Sequence, residues 1–457
     1  MMIRRMTLTG GAMLALLSAS AVAQVAHRPQ IQPQARTLLA AQTAQAPATA
    51  PATALPVTQA LFDTYVREGK VPGVVAAIGA PGKPPIFVSA GRTRLEPDAP
   101  AAGPDTLWRV YSMTKPITAM AAMILIEDGK LSLDEPLSDI YPAYKQMRVL
   151  TDPETSLESR PATRPITIRN LLTHTAGLGY SIVTKGPLLK EYESRGIVPF
   201  AVNAQVEAAV RPTRPADLQQ FAERVATVPL IAEPGTKWSY SIGLDVMAAV
   251  VEKVSGMPFE RFVQTRLFTP LKMTSSYWQV PASAANRLVT NYTFLDGRMV
   301  PVDPAATSVF LQQPSFPYGG AGLVMSARDY DRFLQMLQNG GEVDGVRVMK
   351  TETVKLAMSN LLPAGVSYGK VSGATGGSSD EVPTGYGAGG SVTLADTPGG
   401  PGKGTYGWGG AAGTITYVDP THGLRGTMMV NYFPADHWPL RRDLSAALYQ
   451  DFRAARR

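Results

Sequence analysis

Trp108-Arg109-Val110-Tyr111-Ser112-Met113-Thr114-Lys115-Pro116-Ile117-Thr118 opens a segment that stays apolar on nearly every side through Ile126 and stops at Gly129. Ile117, Ala119, Met120, Ala121, Met123, Ile124, Leu125 and Ile126 leave no polar face, so the pattern predicts a core helix from Ser112 to Gly129. Its methionines read as core filler. Ser112 and Lys115 stand three apart, hence on one face at the amino end of that helix. Unpaired backbone N–H groups and the positive end of the helix dipole favour developing negative charge there. A serine so placed becomes a nucleophile when a neutral amine takes its proton, and an amine held out of water gives up its own proton more readily. Ser112 is therefore the candidate nucleophile and Lys115 its candidate base.

The spacing alone says little, since Ser367-Tyr368-Gly369-Lys370 repeats it. That second copy borders residues 366–405, a long glycine-rich stretch without an apolar period. It has no predicted helix to supply a dipole, and the stretch reads as a functional loop.

Composition narrows the chemistry. The chain has 457 residues, 45% hydrophobic and 17% charged, which excludes a disordered, collagen-like or coiled-coil protein. The net charge of +7 is spread without any Lys/Arg cluster that would follow a phosphate backbone, so no nucleic-acid partner is expected. The absence of cysteine excludes a disulfide scaffold and a thiol nucleophile. Four histidines (His27, His174, His422 and His437), none four residues from another, make no His-rich metal site. No metal or cofactor is expected, and the chemistry falls to Ser, Lys, Tyr, Asp or Glu.

Residues 1–23 read as an export signal: Arg4 and Arg5, an apolar run from Gly10 to Leu17, and small residues Ala21-Val22-Ala23 for cleavage after Ala23. Arg4-Arg5-Met6-Thr7-Leu8 also resembles a twin-arginine signal, so the general secretory and twin-arginine routes both stand, with a periplasmic or secreted product. Residues 24–56, rich in Ala, Gln, Pro and Thr, read as a linker. No later apolar run is long enough for an integral membrane span.

Beyond the linker, Val57–Gly69 reads as an amphipathic helix. Val71–Gly79 and Ile86–Gly91 read as antiparallel strands about the turn 81–85. Residues 151–315 are loop-heavy with helical pieces at Ala216–Val228, Leu244–Ser255 and Phe259–Leu267. Ser326 starts a helix through Leu337, with Asp329 placed as in a capping box. Strands Gly413–Asp419 and Leu424–Phe433 and a helix from Leu440 to Ala454 close the chain. The expected fold is α/β of the α+β kind: a central antiparallel sheet formed from both chain ends and flanked by helices. Its two parts are 57–150 and 316–457, with a mostly helical domain, 151–315, inserted between them.

Further motifs carry a resemblance. Tyr240-Ser241 follows the turn 234–238, and Trp408-Gly409-Gly410-Ala411-Ala412-Gly413 leads into a strand. Leu171 to Leu178 matches Leu-Leu-Thr-His-Thr-x-Gly-Leu, and Gly320 to Asp329 matches Gly-x-Gly-Leu-x-x-Ser-x-x-Asp. Over about residues 57–455 the chain resembles serine hydrolases of the class C β-lactamase fold, most of all the family VIII carboxylesterases. The resemblance implies that Ser112 is acylated, that Lys115 is its base or proton relay, and that Tyr240 is the second acid/base. It implies oxyanion donors at the backbone N–H groups of Ser112 and Ala411, each such donor contributing ~2.7–4 kcal/mol. Around the substrate it places Tyr111, Tyr180, Asp245, Trp408, Gly409 and Gly410. Asp245 equally suits a carboxylate at a helix start, and His174 reads as structural.

Two departures bear on specificity. Ile242 stands where β-lactamases carry asparagine two residues after the motif tyrosine, and Trp408 where they carry the lysine of Lys-Thr-Gly. A polar substrate group buried against either is left unpaired, at ~1–3 kcal/mol each. The expected substrates are therefore small uncharged esters of short to medium acyl chains. A β-lactamase, a D-amino peptidase or amide hydrolase, and an acyltransferase are the alternatives on the same residues. A non-catalytic binding protein is a further one, but it would have no reason to keep Ser112, Lys115 and Tyr240 together. The oligomeric state is open.

Overall fold

The computed structural model describes residues 54–368 and 382–455. The expected signal (1–23), nearly all of the expected linker and Lys370 lie outside the described residues. The elements that build the site are, in chain order, helix α1 (Pro56–Arg67), strands β1 (Gly73–Gly79), β2 (Ile86–Gly91) and β3 (Leu107–Arg109), and helix α2 (Thr114–Glu127). Helices α3 (Leu218–Val225) and α4 (Gly243–Ser255), strand β4 (Val324–Ser326) and helix α5 (Ala327–Gln338) follow. Strands β5 (Thr384–Tyr386), β6 (Ser391–Thr393), β7 (Tyr406–Gly409), β8 (Ile415–Asp419) and β9 (Leu424–Met429) and helix α6 (Leu440–Ala455) complete the series.

The main sheet runs β5-β6-β7-β8-β9-β1-β2, antiparallel throughout, so strands from the two chain ends meet at the β9–β1 pair. There Val75 faces Met429, and across β1 it faces Ser89. The period of two sorts β1 between two cores. Val74, Ala76 and Ile78 pack with Phe62 of α1 and Leu444 and Leu448 of α6. Val75 and Ala77 turn into the larger core that holds α2. Helix α1 begins at Pro56, where a missing N–H costs nothing. Leu55 offers no cap, and Asp451 of α6 does that work, accepting from the Val57 N–H, the Thr58 N–H and the Thr58 hydroxyl at 2.9, 2.9 and 2.8 Å. The antiparallel sheet from both ends, flanked by helices, is the fold expected from the sequence.

Several expectations need correction in detail. The core helix starts at Thr114 and not at Ser112; Tyr111–Met113 form a 3₁₀ turn ahead of it. The strand expected at Leu424–Phe433 breaks after Met429, and Tyr432–Phe433 instead pairs in parallel with Tyr292–Thr293. The glycine-rich stretch contributes β5 and β6, each too short to show an apolar period. Asp329 makes half a capping box: its N–H donates to Ser326, but its carboxylate takes the Ser275 N–H at 2.6 Å and the Ser276 hydroxyl at 2.8 Å. His422 is bonded to Asp419 at 2.8 Å and His437 is stacked on Phe294, so both have partners that the sequence did not show. No helix among the described residues is long and apolar enough to cross a membrane.

Candidate active site

Strand β3 delivers Ser112 and is held hard. It pairs with β4, Trp108 opposite Met325. Asn431 brackets Arg109, accepting its N–H and donating to its carbonyl, both at 3.1 Å. The Arg109 guanidinium is fully buried and meets the Asp303 carboxylate at 2.6 Å, with further bonds to the Val289 carbonyl and the Ser308 hydroxyl. The chain then turns through Tyr111 at φ 42°, a conformation that strains a side-chain-bearing residue. The Tyr111 ring lies against Phe310 and Phe433, and Asn291 donates to its hydroxyl at 3.2 Å. Tyr111, a substrate-binding candidate from the sequence, is thus packed as a support of the turn, its ring buried among core aromatics.

Ser112, Lys115 and Tyr240 come together. The Tyr240 hydroxyl is 2.7 Å from Ser112 Oγ, and Lys115 Nζ is 3.3 Å from the same oxygen. Lys115 is fully buried, donates to the Gly320 carbonyl at 2.8 Å, and lies 4.7 Å from the centre of the Tyr240 ring and 5.4 Å from that of Tyr180. These ring faces attract a cation, and among the described residues no carboxylate bonds the amine. Such a cluster can pass a proton between an oxygen nucleophile, an amine and a phenol.

Asp245 and His174 hold this cluster from behind. The Asp245 carboxylate accepts the Gly320 N–H at 2.7 Å, so one peptide residue is gripped by Asp245 on its N–H and by Lys115 on its carbonyl. Burial pushes Asp245 up to about 7, against the pull of Lys115 and the Gly320 N–H. Its other oxygen has no partner among the described residues. His174 sits at φ 56°; its carbonyl accepts the Ser239 N–H at 2.9 Å, and its Nδ1 accepts the Ser241 N–H at 3.2 Å. It thereby straps both neighbours of Tyr240. Those bonds assign the proton to Nε2, and burial, with Lys115 adding, holds the imidazole well below its usual range.

The family model described as "Beta-lactamase" matches residues 58–450. The chain belongs to the β-lactamase family. It is a serine hydrolase of that fold. Lovastatin esterase of Penicillium rubens is 30% identical over 415 residues, covering 86% of this chain and 96% of the relative. Esterase EstB of Burkholderia gladioli is 28% identical, covering 81% and 89%. Among solved structures, "EstCE1, a hydrolase with promiscuous acyltransferase activity" superposes with a TM-score of 0.68 at 25% identity, covering 87% of this chain and 98% of that one.

In this β-lactamase-family hydrolase the remaining candidates line up along one side. Trp408 is buried, its ring 5.7 Å from Tyr240 and 5.2 Å from Tyr386. Tyr180 lies 5.4 Å from Tyr240 and 6.3 Å from Phe200, and burial, with Asp245 and Tyr240 adding, holds its phenol well above the usual range. Gly410 is required by space: a Cβ there would sit 2.2 Å from the Thr414 hydroxyl and 2.4 Å from the Val110 carbonyl. That contact brings the end of β7 against the residue two before Ser112, with Gly409 beside it. Neither the Ser112 nor the Ala411 N–H is spent on another group among the described residues, as an oxyanion hole requires. Ser367 is exposed. The sequence did not reveal the strap by His174, the Gly320 carbonyl as the anchor of Lys115, or the aromatic wall of Trp238, Tyr368 and Tyr386. The first two lie in the quoted motifs, whose signal was position without partner.

Proposed function

We propose that this protein is an exported serine esterase that hydrolyses short to medium acyl esters through an acyl-enzyme on Ser112. The observation that carries the reading is the convergence of the Tyr240 hydroxyl and Lys115 Nζ on one serine oxygen, at 2.7 and 3.3 Å. Acting as the base, Lys115 takes the Ser112 proton as Oγ attacks the ester carbonyl. The tetrahedral oxyanion lies between the N–H groups of Ser112 and Ala411. On its collapse the ester C–O bond breaks, Tyr240 protonates the departing alkoxide, and the proton on Lys115 returns Tyr240 to the phenol. Water repeats the sequence on the acyl-enzyme, and Ser112 leaves as the protonated hydroxyl. A positioned acid or base of this kind contributes ~10²–10⁴ in rate.

The Trp408 ring and the aromatic wall around Tyr240 support uncharged esters over substrates with a carboxylate to be paired, while Ile242, where the resemblance implied a substrate contact, is fully buried in the core. The esterase relatives support the same reaction class. Acyl transfer is the second reading, supported by the likeness to EstCE1; it differs only in an alcohol outcompeting water for the acyl group. Intact-mass analysis after a phosphonate or p-nitrophenyl butyrate tests the nucleophile. A mass increment is expected in the wild type and none in Ser112→Ala; an adduct that persists in the variant refutes the assignment. Product analysis with added alcohols then separates hydrolysis from transfer. Export is checked by the amino terminus of protein recovered outside the cytoplasm, expected at Gln24.

A further inference from the structure

Arg441 is placed where ordinary helix electrostatics disfavours it. It is the second residue of α6, against the positive end of the helix dipole. Its neighbour Arg442 pairs with Asp443 at 3.2 Å. Arg441 spends its guanidinium on carbonyls instead: Gly413 at 3.2 Å, Thr414 at 2.8 Å, and Gly410 in a short contact. All three belong to the turn that follows Trp408-Gly409. Gly409 keeps the space open, since a Cβ there would stand 3.0 Å from the guanidinium. Burial draws Arg441 down to about 10, which leaves it a cation at neutral pH.

The Gly410 carbonyl and the Ala411 N–H are two ends of one peptide group. A cation on that oxygen withdraws electron density through the amide and makes the N–H a stronger donor, as linked hydrogen bonds reinforce one another. The same oxygen also accepts the Gly413 N–H at 3.2 Å, and Thr414 returns the tie by accepting the Gly410 N–H at 2.8 Å, so the peptide is fixed in orientation. The Ala411 N–H itself is unspent among the described residues.

We propose that Arg441 is a positioning residue for the oxyanion hole, polarising the Gly410–Ala411 peptide so that the Ala411 N–H binds the developing oxyanion more strongly. The inference rests on the reading of Ser112 as nucleophile. Its effect falls on the transition state, where the charge appears, and not on the bound ester. Charge at position 441 matters, beyond a hydrogen bond that merely holds the turn.

The test is the pre-steady-state acylation of the full chain by p-nitrophenyl butyrate, with Arg441→Lys, Arg441→Gln and Arg441→Met beside the wild type. Gln keeps a donor without charge, Met keeps bulk alone, and Lys keeps charge. Acylation is expected to slow by about ten- to a hundredfold in Gln and Met, part of what loss of a whole oxyanion donor costs. KM is expected to stay within about threefold, and Lys to recover most of the rate, as an effect confined to the transition state requires. A Gln variant as fast as the wild type overturns the proposal, as does a loss carried by KM alone or a Lys variant as slow as Gln. If Met fails to fold, the Lys–Gln comparison decides. Wild-type protein that forms no Ser112 adduct at all sinks the esterase reading beneath it, a result distinguishable from every variant outcome.

Discussion

The Tyr240 hydroxyl meets Ser112 Oγ at 2.7 Å across 128 residues of chain. Neither residue is held by the other. Ser112 is placed by β3, with Asn431 bracketing Arg109 and the Arg109–Asp303 pair locked behind it. Tyr240 is placed by His174, which takes the N–H groups on both sides of it. The contact is the meeting of two separately braced segments, so damage to either brace should misplace the phenol without touching it.

Tyr240→Phe removes the hydroxyl and keeps the ring against Trp408 and Lys115. We expect kcat on p-nitrophenyl butyrate to fall by about 10²–10⁴ with little change in KM, the signature of lost proton transfer. Thermal stability should move by no more than about 1 kcal/mol, the usual worth of one hydrogen bond. A variant within a fewfold of wild-type kcat would remove Tyr240 from the mechanism.

His174 tests the other brace. Its φ of 56° is one that asparagine tolerates better than most residues, and an asparagine oxygen can take the place of Nδ1. His174→Asn should therefore keep most of the activity, while His174→Ala loses about tenfold or more in kcat as Tyr240 drifts. The imidazole is held well below 6.5, so the unfolded chain binds the proton first. Its contribution is complete above about pH 6.5 and is lost as pH falls through the native value. Melting curves between pH 7 and 5 should show a steeper decline for the wild type than for His174→Asn.

How much of this was visible beforehand follows the range of the forces involved. The buried α2 run, the alternation in β1 and the Ser112–Lys115 spacing are local, and local patterns are written in consecutive residues. Strands β5 and β6 are three residues each and exist because β7 pairs with β6 and β6 in turn with β5, which no window of sequence shows. Helix α2 starts two residues later than its apolar pattern implies because Tyr111 adopts a left-handed backbone, held by packing against Phe310 and Phe433 that the pattern does not show. Of the site, Ser112, Lys115 and Tyr240 were legible through the resemblance. Their supports were not, because the Gly320 carbonyl, the His174 ring and Asp245 act through contacts 205, 67 and 75 residues apart in sequence.

Asp245 offers a pH experiment of opposite sign. Burial raises its carboxyl to about 7 from 3.8, so the folded chain holds a proton that the unfolded chain has released between those values. Stability from this group is full below about pH 4 and is lost as pH rises through 7. Asp245→Asn keeps an oxygen for the Gly320 N–H and cannot ionise. Its stability relative to the wild type should rise from pH 4 to about 7 and level off above that, read as the difference in melting temperature. A difference that stays constant over that range would show that Asp245 does not titrate as its burial demands.

Gly320 joins Asp245 to Lys115, and one methyl group probes the link. A Cβ at this position would stand 2.4 Å from the free oxygen of Asp245 and 3.0 Å from its carboxyl carbon, a distance that forces one of them to move. The Gly320 carbonyl anchors Lys115 at 2.8 Å, so the displacement passes to the amine beside Ser112. We expect Gly320→Ala to lower kcat by about tenfold or more, since small misplacements of a reacting group are costly. Shortening the opposing side chain gives the methyl room, so Gly320→Ala combined with Asp245→Ser should recover part of that loss. The two changes must then be non-additive in kcat/KM, because they share one contact. Additive losses would mean that Gly320 and Asp245 act on Ser112 by separate paths and that the peptide between them transmits nothing to Lys115.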